Sequence, residues 1–402
     1  MKINQGTIEI INNIRSVVGD FDKNNPVYLH EPDFRNTKAL DYVKNCIENG
    51  WVSSAGSWVS KFEEDICKFT GASHTVAVTN GTDGLRLALY LVGVRQGDEV
   101  IIPPLSFVGT ANAVCHLNAI PHFVDIEATS LGMSPKSLEQ RLIDVGMLKN
   151  GIVINRETGR RISAILPVDV FGIPCDVKAL KKIALRWNLP IIEDCAEALG
   201  SKVLIDRKIV HCGTLAQIGV ISFNGNKLIT TGGGGALITN NNNLAKLAKH
   251  ISTTAKIQHQ WEYNHDQVGW NDRMPNINAA LGVAQLENID DRLIKKKNLF
   301  KKYIYAFKDC KFAEIIKTKE DVFSNNWLIS LRLKNRDSEV VTKLRNDLLI
   351  NAFKSGLCLR PAWNLLSNLP MYKNVPSGDI SVAEFENQRI INLPSSPQLD
   401  DL

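Results

Sequence analysis

Ser222-Phe223-Asn224-Gly225-Asn226-Lys227-Leu228-Ile229-Thr230-Thr231-Gly232-Gly233-Gly234-Gly235 sets one lysine in a loop of small, polar and glycine residues. Gln217–Phe223 reads as a short buried strand entering the loop, and Ala236-Leu237-Ile238-Thr239 as a strand leaving it. Four consecutive glycines cost backbone entropy and pack no side chain, so they predict a close approach of backbone to a bound group. Lys227 can cradle a phosphate, bond covalently to a carbonyl, or be an ordinary solvated lysine. The P-loop spacing is absent, because Leu228 follows the lysine. The choice among the other readings depends on what the rest of the chain supplies.

On either side of the loop, short apolar runs alternate with helical patterns. Thr75–Thr79, Glu99–Ile102, His122–Ile126, Ile162–Val168, Pro190–Glu193, Gln217–Phe223 and Gly235–Thr239 read as strands, with helices such as Gly84–Val94 and Val177–Trp187 between them. That alternation predicts an α/β fold: a large, mainly parallel seven-stranded sheet covered on both faces, with ligands at the strands' C-terminal ends. Ile277 to Phe307 reads as one long amphipathic helix, with Lys295-Lys296-Lys297 as a solvated face. Strand Trp327–Leu333, helix Ser338–Phe353 with Ser338 as N-cap, and strand Leu357–Leu359 predict a smaller α/β domain. The expected division is an N-terminal helical extension (1–26), a large domain (27–260), and the long helix with the small domain (261–402). Asn240–Asn243 reads as a turn.

The chain has 402 residues, 44% hydrophobic and 22% charged, as a soluble two-domain enzyme would. A net charge of +5 suits a small anionic ligand and is too weak to argue for nucleic acid. Eight scattered cysteines without a C-x-x-C pair argue against zinc and against a disulfide framework, so no metal is expected. No apolar run approaches the ~20 residues of a membrane span, and Met1–Arg15 lacks the apolar core of a signal peptide, so the expected location is cytoplasmic.

Asp194 closes the strand Pro190-Ile191-Ile192-Glu193, where a buried carboxylate needs a charged partner or a donor. An ordinary salt bridge at a strand end is the rival explanation. Thr79-Asn80-Gly81-Thr82-Asp83-Gly84 follows a strand and opens a helix, so Gly81 and Thr82 suit a phosphate, though Thr82 can also be a simple N-cap. Phe107 stands just past the strand Glu99–Ile102, able to stack on a flat group or to fill the core. Trp51-Val52-Ser53-Ser54-Ala55-Gly56 reads as a loop near a ligand, with Trp51 as core anchor the alternative. A lysine, a carboxylate, a flat ring and a helix N-terminus together meet the needs of pyridoxal phosphate.

With these motifs in this order, the chain resembles the DegT/DnrJ/EryC1/StrS family of pyridoxal-phosphate sugar aminotransferases, from about Val27 to Pro397. Gly97–Val100, Ser106-Phe107, Glu193-Asp194, Ser222-Phe223-x-x-x-Lys227 and Gly269-Trp270-Asn271-x-Arg273 carry the resemblance. It implies a type I, aspartate-aminotransferase-like fold. It also implies Lys227 as the covalent lysine, Asp194 as partner of the pyridine nitrogen and Phe107 as the stacking ring. Gly81, Thr82 and Ser222 would hold the phosphate and Glu197 would lie at the cofactor. Asn271 would reach the neighbouring subunit's cofactor, implying a homodimer with shared sites.

Trp51–Gly56, Ser222–Gly235, Arg360-Pro361-x-Trp363 and Leu393–Ser396 are most similar to the branch acting on UDP-linked 4-keto-6-deoxy-hexosamines. That likeness implies sugar contacts at Trp51, Val52, Ser53, Asn326, Trp327 and Arg360, with glutamate as the expected amino donor. Asp83, Asp169 and Ser367 depart from the family pattern: a carboxylate beside the phosphate site, and two positions where histidine is common. A different pyridoxal-phosphate reaction, or a binding protein that has lost turnover, are the competing readings. Lys227 argues against the first, since family dehydratases lack that lysine.

Overall fold

The computed structural model of the protein describes residues 4–401. Its central sheet has seven strands: β1 (His74–Val78), β2 (Glu99–Ile102), β3 (Ile120–Phe123), β4 (Arg161–Ile165), β5 (Ile192–Asp194), β6 (Ile218–Ser222) and β7 (Gly235–Thr239). They lie in the order β1-β7-β6-β5-β4-β2-β3, with β4 and β5 joined by parallel bridges Ile165–Ile191 and Val168–Asp194. Only β7 runs against its neighbours, so the expected mainly parallel sheet is what forms. A hairpin, Gly146–Lys149 and Ile152–Asn155, adds to the start of β4.

β2, β5 and β7 are buried along their whole length, as a sheet covered on both faces requires. Val78, Val100, Ile192, Val220 and Leu237 pack with Leu85 and Leu89 of helix Gly81–Leu91 on one side. Ala77, Ile221, Ala236 and Ile238 pack with Phe62 and Val283 on the other. Each buried Val, Leu, Ile or Phe among them contributes about 1.5–3 kcal/mol.

A second core joins helices Gln5–Val18, Ile289–Ala306 and Ser338–Lys354 to a four-stranded antiparallel sheet. That sheet is built from Ala313–Ile315, Ile329–Leu333, Ile390–Leu393 and Arg360–Pro361. Ile10 and Ile14 of the first helix are fully buried there, beside Leu299, Leu331 and Leu348.

Several sequence expectations need correction. The long helix is two, Asn276–Leu286 and Ile289–Ala306. At the break the Asn288 side chain donates to the Ala284 carbonyl, competing with the helical ladder. Lys296 is not solvated but fully buried, its ammonium donating to the Trp327 and Ser395 carbonyls. Asp337, not Ser338, caps its helix, accepting from Glu339 and Val340 N–H. Asn241 caps helix Asn242–Ser252, where a turn was expected. Residues Leu357–Leu359 make one bridge to Val27, and the strand forms at Arg360–Pro361 instead.

Candidate active site

Strand ends and helix starts converge on a cleft of about 320 Å³ lined by Asn80, Gly81, Thr82, Phe107, Asp194, Glu197, Ser222, Lys227, Trp327 and Trp363, among others. The convergence follows from topology. β1, β2, β5 and β6 are parallel to one another, so their C-terminal ends open on the same edge of the sheet.

Asp194 ends β5 and is 4% exposed. Thr110 Oγ1 donates to its Oδ2 at 2.7 Å, and the Ala196 N–H to its Oδ1 at 3.1 Å. Ser106 Oγ lies 2.6 Å from Thr110 Oγ1, extending the chain of hydroxyls. Burial pushes the Asp194 carboxyl up, while Thr110, Ala196 and the charge of Lys227 pull it down. A cationic ring nitrogen in the cleft would complete that set.

Lys227 Nζ lies 3.1 Å from Glu197 Oε1 and 4.1 Å from the centre of the Trp327 ring. Trp327 in turn donates its indole N–H to the Asn226 carbonyl at 2.7 Å, fixing the lysine's loop. Glu197 is buried and its other oxygen accepts from the Phe171 N–H at 2.8 Å. Burial raises the Glu197 carboxyl and the Lys227 ammonium lowers it.

Helix Gly81–Leu91 starts at the cleft, and Asn80 caps it by accepting from the Asp83 N–H. Thr82 is therefore not the cap, which leaves its hydroxyl uncommitted to that role. A Cβ on Gly81 would come within 3.0 Å of Ser222 Cβ, so glycine keeps a space between helix start and β6. The Asp83 carboxylate turns to Thr79 Oγ1 (2.9 Å), Asn80 Nδ2 (2.6 Å) and Arg86, and does not line the cleft. That arrangement removes the conflict the sequence raised between Asp83 and a phosphate.

The glycine run serves packing more than ligand approach. A Cβ on Gly235 would strike the Asn80 and Gly81 backbone at 2.6–2.8 Å, and one on Gly234 would strike Thr231 and Met274. Gly232 has φ +79, a conformation that favours glycine, while Gly233 faces open space.

Six expected residues lie away from this cleft in the single chain. Trp51 is 58% exposed, which excludes the core-anchor alternative. The carbonyls of Trp51, Val52 and Ser53 instead accept hydrogen bonds from Asn276 and Ile277 at the start of a helix. Asn271 is exposed, with its side-chain oxygen on Arg273 Nε at 2.9 Å. Arg360 is exposed on its edge strand, and Asn326 sits in a left-handed turn (φ 52°) before Trp327. Thr110 is a cleft residue that the sequence reading did not select, and Trp363, quoted there only within the Arg360-Pro361-x-Trp363 motif, is another. Thr110 had a legible signal, since it stands about one helical turn after Phe107.

A family model described as the DegT/DnrJ/EryC1/StrS aminotransferase family matches residues 34–401. The chain belongs to this family. It is 35% identical to a GDP-perosamine synthase of Escherichia coli O157:H7, over 94% of each chain. It is 30% identical to the putative pyridoxal phosphate-dependent aminotransferase EpsN of Bacillus subtilis (strain 168), over 93% of this chain and 92% of that one. A crystal structure of a DegT DnrJ EryC1 StrS aminotransferase from Brucella abortus aligns with a TM-score of 0.77 at 26% identity, over 90% of each chain.

This DegT-family protein is therefore a pyridoxal-phosphate-dependent sugar aminotransferase with the type I fold. The cleft fits that cofactor: a lysine amine, a buried carboxylate short of a cation, and a glycine-walled helix N-terminus face one space. Among the described residues no helix is long and apolar enough to cross a membrane.

Proposed function

We propose that the protein transfers an amino group from glutamate to C4 of a nucleotide-linked 4-keto-6-deoxy sugar. The observation that carries the reading is the Lys227–Glu197 pair set across one cleft from buried Asp194. When bound, the cofactor supplies an aldehyde for amine exchange and a ring that draws electron density from the reacting carbon. In this reading Lys227 would hold that aldehyde, and its amine would be the group placed to take up and return a proton in the cleft. Glu197 holds the freed ammonium in reach of the cleft. Asp194 would keep the ring nitrogen protonated, Gly81, Thr82 and Ser222 would take the phosphate, and Phe107 would offer a flat wall.

The sugar's nucleotide is the finer question. Two GDP-perosamine synthases, 35% and 32% identical over 94% of this chain, favour GDP. The Trp51–Gly56 and Arg360–Trp363 motifs favour UDP, which remains the second reading. We propose a homodimer as the working form, with Asn271 and Trp51–Ser53 reaching the partner's cleft. That accounts for why these residues stand on the surface of one chain, away from Lys227.

The test is an amination assay with glutamate against GDP- and UDP-linked 4-keto-6-deoxy sugars, reading kcat/KM for each. A preference of about tenfold or more for GDP supports the first reading. The reverse preference replaces it with the UDP one. No amination of any 4-keto sugar, with glutamate half-reaction intact, overturns the 4-keto assignment.

A further inference from the structure

Glu193 precedes Asp194 on β5, so its side chain points to the opposite face of the sheet from the cleft. There it meets Asp169, which follows β4. Asp169 is 0% exposed and Glu193 1%. Oxygens of the two carboxyls and the Cys212 sulfur all lie within 4.8 Å of one another. Asp169 Oδ1 accepts the Cys175 N–H at 2.9 Å, but Asp169 Oδ2 and Glu193 Oε2 meet no donor among the described residues.

Elsewhere this chain shows what a buried carboxylate needs if it is to stay charged. Glu99 is equally buried and takes hydrogen bonds from His122, Asn155 and Thr158, which hold it below its ordinary range despite burial. Asp169 and Glu193 have no such set, and burial together with their mutual repulsion pushes Glu193 well up. Burial likewise raises Asp169. Two carboxylates so close and so dry do not both ionise.

We infer that Asp169 and Glu193 hold one proton between Oδ2 and Oε2, and that this acid pair positions Asp194 and Glu197 for the reaction in the cleft. The linkage is backbone. The Asp169 N–H donates to the Asp194 carbonyl at 3.1 Å, and the Asp194 N–H to the Pro167 carbonyl at 2.9 Å. Two residues past Asp169, Phe171 sits at φ 57°, a conformation that a bulky residue holds only when its neighbours impose it. From that position its N–H reaches Glu197 Oε2, whose other oxygen holds Lys227. Loss of the shared proton would set two like charges against each other where both cleft carboxylates are anchored.

Among the described residues, no cation stands among the groups that act on Asp169 or Glu193. The Cys175, Cys195 and Cys212 thiols around it are buried and pushed well above their ordinary range, so they are neutral. Glu127, Asp176, Lys178, Lys319 and Asp321 line the cavity of about 210 Å³ that adjoins Glu193 and Cys212. Asp194 faces the other side of the sheet.

The consequence for turnover rests on the aminotransferase reading of the cleft, but the proton itself is measured without turnover. Infrared spectra of the holoenzyme in D₂O, wild type minus Asp169→Asn/Glu193→Gln, should contain one protonated-carboxyl C=O band at neutral pH. A carboxyl whose folded pKa is raised binds more protons in the native state than in the unfolded one. Stability is then full below the ordinary carboxyl range and falls as pH rises toward the pair's own pKa, by about tenfold in the unfolding equilibrium per pH unit. The double-amide variant keeps a bridging hydrogen that cannot dissociate, so it should lose this slope. Its kcat plateau should also extend to higher pH than that of wild type.

An unchanged stability slope and alkaline limb in the variant, or the absence of the band, overturns the inference. One divalent metal ion per chain in the holoenzyme, released by a chelator, also overturns it, since the free oxygens would then be ligands. If the double variant does not fold, infrared titration of wild type still answers. A carboxyl band that persists at neutral pH, bleaches on alkalinisation and is lost in the single variant Glu193→Gln supports the pair, since Asp194 and Glu197 are raised by burial too; the absence of such a band at neutral pH refutes it.

Discussion

Replacing Thr110 by valine removes one hydroxyl and almost no volume. Thr110 and Asp194 are 2% and 4% exposed, and the hydroxyl donates to Asp194 Oδ2 at 2.7 Å. Since its single hydrogen goes to Asp194, the 2.6 Å contact with Ser106 must have Ser106 as donor. A hydrogen bond to a charged group is worth about 1.5–3 kcal/mol, and the valine side chain has no donor to replace it. Without it the Asp194 carboxyl should rise further, beyond the upward shift that burial already imposes. A less readily ionised Asp194 holds a protonated ring nitrogen less well by the same energy. The glutamate half-reaction should therefore slow by roughly 10- to 150-fold. Stopped-flow absorbance of the holoenzyme measures that rate, with cofactor content and thermal unfolding as controls. Ser106→Ala should cost much less, because Thr110 still aims its hydrogen at Asp194. A Thr110→Val enzyme with full cofactor content and a half-reaction rate within about twofold of wild type would refute the reasoning.

Lys227→Ala should abolish transamination while Glu197, already raised by burial, takes up a proton and leaves the fold intact. Borohydride reduction of the wild-type holoenzyme followed by peptide mapping should label Lys227, and a label on another lysine rejects the assignment. Gly81→Ala should weaken cofactor binding about tenfold or more, because its Cβ lies 3.0 Å from Ser222 Cβ in the space assigned to the phosphate. Alanine is a good helix former, so an unfolded variant is not expected; unchanged affinity in a cofactor titration would remove Gly81 from the phosphate site. Mixing Lys227→Ala with Asn271→Ala chains should raise activity above either parent, since in a shared-site dimer one of the two sites then carries neither defect. No recovery after verified subunit exchange would place Asn271 in its own chain's site or in none.

Much of the cleft was legible because its parts are local. Gly81-Thr82, Phe107, Asp194 and Ser222-to-Lys227 each sit where a strand stops and a loop or helix begins, so period and punctuation locate them. The alternation of strands and helices likewise carries the parallel sheet, and the parallel sheet brings those ends to one edge.

What the sequence alone could not determine is which way a side chain turns and what meets it from afar. Lys296 reads as the middle of a solvated lysine run, yet two carbonyls from distant segments take its ammonium into the core. Asp83 reads as a threat to the phosphate site, yet it rotates onto Thr79, Asn80 and Arg86. Gly234 and Gly235 read as room for a ligand, but they make room for Met274 and for the backbone of Asn80 and Gly81. The Asp169–Glu193 pair exists only because β4 and β5 dock side by side and leave both carboxyls on the face opposite Asp194. By itself the sequence determined most of the elements, their order and which residue types stand at their ends, all of which are encoded within a few residues. The partners of buried charges were decided by tertiary structure, because dehydration makes their cost depend on neighbours that the chain brings in from far away.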